Sequence, residues 1–195
     1  MNGETVVYEI IGFDHDDLAD GSGKAGITIM ANYVPSFTLH NFDSATTTTN
    51  PKYWGNSELR TFCNGDLFNA LETDLQNVIK PVTKKSDYGT YSTGLNITTD
   101  KVFVLAYEEL RASGIASNHS SMVTAGQGSL YAMWKNFWAL KTRYNADGTA
   151  VYYWTRTHSI RHSETAFFAT SSDTIAYSPY NDQTTGFFTM YAFCI

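Results

Sequence analysis

Short runs of β-branched and aromatic residues alternate with polar, glycine-rich connectors along this chain, and one stretch carries a helical period. VVYEIIGF (Val6 to Phe13) reads as a strand, and the polar loop DHDDLADGSGKAG leads into a second strand within GITIMANYV. After a turn-rich connector at Asn41 to Pro51, Asn56 or Ser57 can cap a helix with Glu58 in its first turn and Leu59, Phe62 and Cys63 on one side. Gly65 is expected to interrupt that helix. Leu67, Phe68, Leu71, Leu75, Val78 and Ile79 then recur at spacings near three and four, as a buried helical face requires, until Pro81.

The second half reads mostly as strands. Ser86 to Thr99 is expected to be a loop, Val102 to Leu105 a buried strand, and Tyr107 to Arg111 a short helical turn. Residues 112–129 are small and polar, as in a surface loop, and YAMWKNFWALKTRY should carry Trp134, Phe137 and Trp138 into the core. Asp147-Gly148 makes a turn before AVYYWTR, where Trp154 is expected to be buried and Arg156 to pair with a carboxylate or with loop carbonyls. Phe167 and its neighbours should pair with Thr174 to Tyr177 across Ser171–Asp173. The apolar end, Phe187 to Ile195, should pair centrally. One α+β domain over residues 1–195 follows, with helices early and irregular hairpins late.

Composition narrows the function classes. The chain has 195 residues, 43% hydrophobic and 15% aromatic, enough for a sizeable core. Its charged fraction is 16%, so much of the surface must be Ser, Thr, Asn, Gly and Tyr. A net charge of -6 argues against a nucleic-acid partner, and the basic cluster Lys80, Lys84 and Lys85 reads as a solvated loop. No run approaches the roughly 20 apolar residues of a membrane helix, and the start lacks the regions of a signal peptide. Cys63 and Cys194 read as buried free thiols. Asp14, His15, Asp16, Asp17 and Asp20 form the densest acidic cluster, and calcium favours the oxygen ligands of such loops, but the calcium-loop spacing is missing and a solvated turn is the expectation.

The last 44 residues, Tyr152 to Ile195, contrast most with the rest. Aromatic ends, YYWTR and YAFCI, enclose a middle rich in Tyr, Ser, Thr and Asn, which is the composition of binding loops. His158, Ile160, Arg161, His162, Phe168, Tyr177, Tyr180 and Asn181 are the ligand-binding candidates, because Tyr and Arg supply contact area and hydrogen bonds at limited entropic cost. No nucleophile-elbow motif or third zinc ligand accompanies His158 and His162, so no catalytic residue and no metal or other cofactor is expected.

IIGFDHDDLADGSGKAGIT, YWGNSELR, LETDLQNVIKPVTKK, TTDKVFVLAYEEL, YYWTR and the terminal AFCI together resemble an uncharacterised family of bacterial surface proteins and prophage virion proteins. The later part of that family is similar to the C-type-lectin-like fold in the variant shared with formylglycine-generating enzymes. The resemblance implies two early helices, a small twisted antiparallel sheet and long irregular loops. It also implies kinship with the variable proteins of diversity-generating retroelements, whose C-terminal codons are rewritten to change the binding target. Rewriting of AAC-type codons cannot produce Lys, Met, Trp, Glu or Gln. Between Thr157 and Thr189 only Glu164 and Gln183 break that pattern.

The terminal GFFTMYAFCI departs from the family's usual ending, which leaves Phe187 either outward on the binding surface or inward in the core. The expectation is a non-enzymatic receptor-binding display domain on a phage tail or bacterial surface. Its partner would be a protein or glycan on a target cell, with homo-oligomerisation open and no membrane insertion. A virion structural domain and a formylglycine-type copper oxidase are the alternatives.

Overall fold

A computed structural model describes residues 5–34, 38–43, 53–89, 92–110, 123–135, 142–145, 147–161, 165–169, 175–179 and 187–195; for 33–34, 165–169 and 175–179 it describes the backbone alone. The architecture is mixed α+β, with several small, mainly antiparallel sheets and few helices. Strands β1 (Tyr8–Phe13) and β2 (Ile27–Ala31) pair antiparallel, with a bulge between Ile10 and Gly12. The C-terminal strand β12 (Tyr191–Cys194) lies between β2 and β6 (Val102–Val104), so the first sheet has the order β1-β2-β12-β6. Central placement suits its sequence, because every residue of β12 is buried.

The second sheet has the order β10-β9-β8-β7-β3, built from β3 (Tyr33–Val34), β7 (Arg143–Asn145), β8 (Ala150–His158), β9 (Thr165–Ala169) and β10 (Ile175–Pro179). Strand β11 (Phe187–Phe188) runs parallel to β8 beside it. Phe187 is 2% exposed and packs edge-on against Trp154, so it belongs to the core. Phe167 pairs with Tyr177, within the strand pairing expected from the sequence.

Between the sheets' strands lie α1 (Glu58–Phe62), a π-helical turn at Cys63–Leu67, and α2 (Thr73–Val78), followed later by α3 (Tyr107–Leu110) and α4 (Ala132–Lys135). Ser57 starts α1, its hydroxyl accepting from the Arg60 amide. Gly65 does not break the helix; the chain continues through it as the widened turn. There the Asn64 side chain donates to the carbonyls of Arg60 and Val102 and accepts from the Lys101 amide. Val78 also departs from its expected place and is 47% exposed, because α2 ends there and Ile79 turns inward on extended backbone.

The largest departure is β4 (Val82–Asp87) paired with β5 (Leu95–Asp100), in a region read as loop. The inward positions of β4 are Val82, Lys84 and Ser86. Two of these three are polar, so the alternation of a half-buried strand is invisible to a hydrophobic count.

Candidate functional site

Lys84 is 2% exposed, and its ammonium sits at the centre of a buried charge cluster. The solvated-loop reading therefore fails for Lys84, although Lys80 and Lys85 are exposed. Its Nζ lies 2.6 Å from Asp16 Oδ1 and 3.0 Å from Glu109 Oε1, and 3.9 Å from the Phe103 ring centroid. Glu109 in turn receives both ends of the Arg156 guanidinium, Nη1 to Oε2 and Nη2 to Oε1, each at 2.6 Å. Arg156 spends its remaining donors on the carbonyls of Lys85, Val104 and Gln127. Two carboxylates and two cations thus cancel. Such a cluster is tolerable in a dry interior only when each charge is partnered and hydrogen-bonded.

Four chain segments deliver these groups. The loop after β1 carries Asp16, which is 5% exposed; the rest of that acidic run behaves as the expected turn, with Asp20 accepting from Ser22 and Asp17 pairing with Lys24 at the surface. Strand β4 presents Lys84, and α3 with β8 brings Glu109 against Arg156. The Tyr131 hydroxyl bridges the two ends of the Lys84–Asp16 contact. It accepts from Lys84 Nζ at 3.2 Å and donates to Asp16 at 3.0 Å. The Thr28 hydroxyl donates to Asp16 Oδ2 at 2.5 Å, and the Cys194 thiol lies 3.5 Å from the same oxygen. The His15 ring stacks on Tyr131 with centroids 3.8 Å apart.

Electrostatics follow from these contacts. Burial pushes the Asp16 carboxyl up, but the Lys84 charge together with the hydrogen bonds from His15, Lys84 and Thr28 outweighs it and holds the group well below the usual carboxylate range. Glu109 is likewise lowered, burial being overcome by Arg156 and then Lys84. Tyr131 is pushed up by burial and by the neighbouring carboxylates, which keeps its hydroxyl protonated.

A second polar group adjoins the cluster. The Asp87 carboxylate accepts from the His158 amide at 2.9 Å and from Gln127 Nε2 at 3.0 Å, with no cation among these donors. Burial without a counter-charge raises it to about 7. His158 is lowered to about 4 by burial. A Cβ on Gly89, at φ +62°, would collide with the His158 ring, so glycine is required there both by backbone and by space.

Above the cluster opens a polar cleft of about 260 Å³. His15, Lys24, Lys85 and Ser129 line its rim, and Asp16, Lys84, Glu109 and Arg156 its floor. The loop over that floor approaches closely at Gly128, where a Cβ would sit 2.6 Å from Glu109 Cγ.

Among the described residues, none of those expected to bind a ligand lines this cleft. His158 is fully buried and is a scaffold position, correcting its assignment to a binding surface. It ends β8, whose residues from Tyr153 onward are all buried. Ile160 is partly exposed and Arg161 exposed. Phe168 and Tyr177 lie on paired strands whose side chains are outside the described residues, and His162, Tyr180 and Asn181 are outside them altogether. Arg156 does pair with a carboxylate and loop carbonyls, Trp154 is buried, and both cysteines are buried and free. Missed entirely were Asp16, Lys84, Glu109 and Tyr131 as one unit. Their signal is the odd placement of Lys84 on the inward side of VTKKSD, which only becomes visible once β4 is recognised.

The model of one family, described as a domain of unknown function (DUF6273), matches residues 27–187. The chain belongs to the DUF6273 family. No curated protein and no solved structure matches it. The DUF6273 match contains Lys84, Glu109, Tyr131 and Arg156, while Asp16 and Cys194 lie on flanking segments that complete the first sheet and the charge cluster. Among the described residues, no helix is long and apolar enough to cross a membrane.

Proposed function

We propose that this chain is a non-enzymatic display domain that presents its C-terminal region to a protein or glycan on a target cell surface, on a phage tail or bacterial surface. The finer form of its α+β architecture in this reading is a C-type-lectin-like fold. One observation carries the proposal: the β9–β10 hairpin forms the end of the second sheet and hangs from β8 through Tyr153↔Ala169, Trp154↔Phe168 and His158↔Ala166. Strand β8 is itself pinned by Trp154, whose indole donates to the His40 carbonyl, and by the Arg156–Glu109 pair. A stiff anchor lets the residues beyond it change without loss of the fold.

The state of the thiols favours display over the copper-oxidase alternative. Burial pushes Cys63 well up and Cys194 up to about 12, the reverse of what a reactive thiolate needs.

The test combines Arg161→Ala with Tyr177→Ala and Tyr180→Ala, and measures adsorption to a panel of intact bacterial cells and to a glycan array. Binding should fall by roughly tenfold or more, as for interface anchors, while the melting temperature stays close to wild type. Unchanged binding, or a large drop in melting temperature, overturns the assignment of these residues to a display surface.

A further inference from the structure

The Lys84–Asp16 contact has the constituents of an amide-forming site, and this reading is independent of what the domain binds. Lys84 Nζ, a nucleophile once it has lost a proton, lies 2.6 Å from a carboxylate oxygen. The Tyr131 hydroxyl is within 3.2 Å of that nitrogen and 3.0 Å of the same oxygen, so a proton can pass from one to the other through it. The other carboxylate oxygen is held by Thr28 at 2.5 Å and Tyr131 at 2.9 Å, as an oxyanion would be. Glu109 fixes the ammonium from one side and the Phe103 ring lies against it, so the nitrogen has little freedom to swing away.

We propose that Lys84 and Asp16 condense to an intramolecular isopeptide bond that ties β4 to the loop after β1. In the resting ion pair the ammonium passes one proton to Asp16 Oδ1, giving a neutral amine and a carboxylic acid. The nitrogen lone pair then attacks Asp16 Cγ, and the developing negative charge on Oδ2 is met by Thr28 and Tyr131. A second proton leaves the nitrogen for the Tyr131 oxygen while Tyr131 gives its own to the Oδ1 hydroxyl. The Cγ–Oδ1 bond breaks, Oδ2 returns to a carbonyl, and one water departs through the polar cleft. An ammonium and a carboxylate become an amide and water, with no oxidant, metal or other co-reactant.

The charge balance favours this end state. Glu109 and Arg156 remain as a neutral pair, and two buried charges with their desolvation cost disappear. The bond would close a long loop of the chain, which resists unfolding under mechanical load or protease.

Intact mass spectrometry of the denatured full chain tests the proposal. The wild-type chain should be one water lighter than its sequence mass, and digestion should release a single branched peptide joining Asp16 to Lys84. Tyr131→Phe keeps the ring stacked on His15 but removes the proton relay; it should show a native circular dichroism spectrum and the full sequence mass. A wild-type chain at full mass overturns the bond. So does a water lost as a cyclic imide at an aspartate, with no branched peptide. A folded Tyr131→Phe chain as light as wild type overturns the role given to Tyr131.

Discussion

Asp87 shows how a single buried residue can set a pH dependence. Its carboxyl receives several N–H donors, which suit the anion, but burial without a cation outweighs them and leaves it at about 7. A raised folded value means that the folded state holds the proton more tightly than the unfolded chain. The contribution of Asp87 is therefore intact below the ordinary carboxylate range and is lost as pH rises through about 7. Glu109, being lowered, acts oppositely and loses its contribution only in acid. Asp87→Asn should remove the alkaline loss alone. Its melting temperature, measured against wild type from about pH 5 to 8, should gain steadily on wild type as the pH rises. A parallel pair of curves would show that Asp87 does not titrate in that window.

At the scale of elements, stability rests on short pieces tied by side chains rather than on long regular runs. Helix α1 has five residues, too few to stand alone in water. It is held at its start by Ser57, which accepts from the Arg60 amide and donates to the Trp54 carbonyl, and at its side by Arg60, 2.6 Å from Asp100. Asp100 also receives the Trp54 indole and the Thr98 hydroxyl, which joins the helical block to β5. Ser57→Ala should cost about 1 kcal/mol in a denaturant titration, the ordinary loss for an N-cap. The cap at Ser57 was legible because its chemistry is local. The hairpin β4–β5 was not, because most of its buried positions are polar, and Lys84 owes its burial to partners far along the chain.

Over the whole molecule, the last strand lies beside the second, with Ala192 opposite Met30 and Phe193 opposite Ile29. Opening either thiol to solvent therefore means breaking the core, since Cys194 is in that central strand and Cys63 is a buried residue of the π-helical turn. Neither cysteine should react with an aromatic disulfide reagent in the native state, and both should react on unfolding. Labelling of either one while the near-ultraviolet spectrum stays native would contradict the burial described for it.

What the sequence determined by itself was the class of each local piece whose signal is apolar and periodic. Strands β1, β2, β6, β8 and β12, the capped helix at Ser57 and the pairing of β9 with β10 all follow from alternation, β-branching and turn residues within a few positions. It also marked Trp154 and Arg156 as scaffold. Tertiary structure alone decided that Asp16, Lys84, Glu109 and Arg156 meet, that His158 is inside, and that Phe187 faces the core. The physical reason is that a charged or polar side chain carries no local sign of burial. Its place is set by the partner that compensates it, and here Lys84 is 68 residues from Asp16 in sequence.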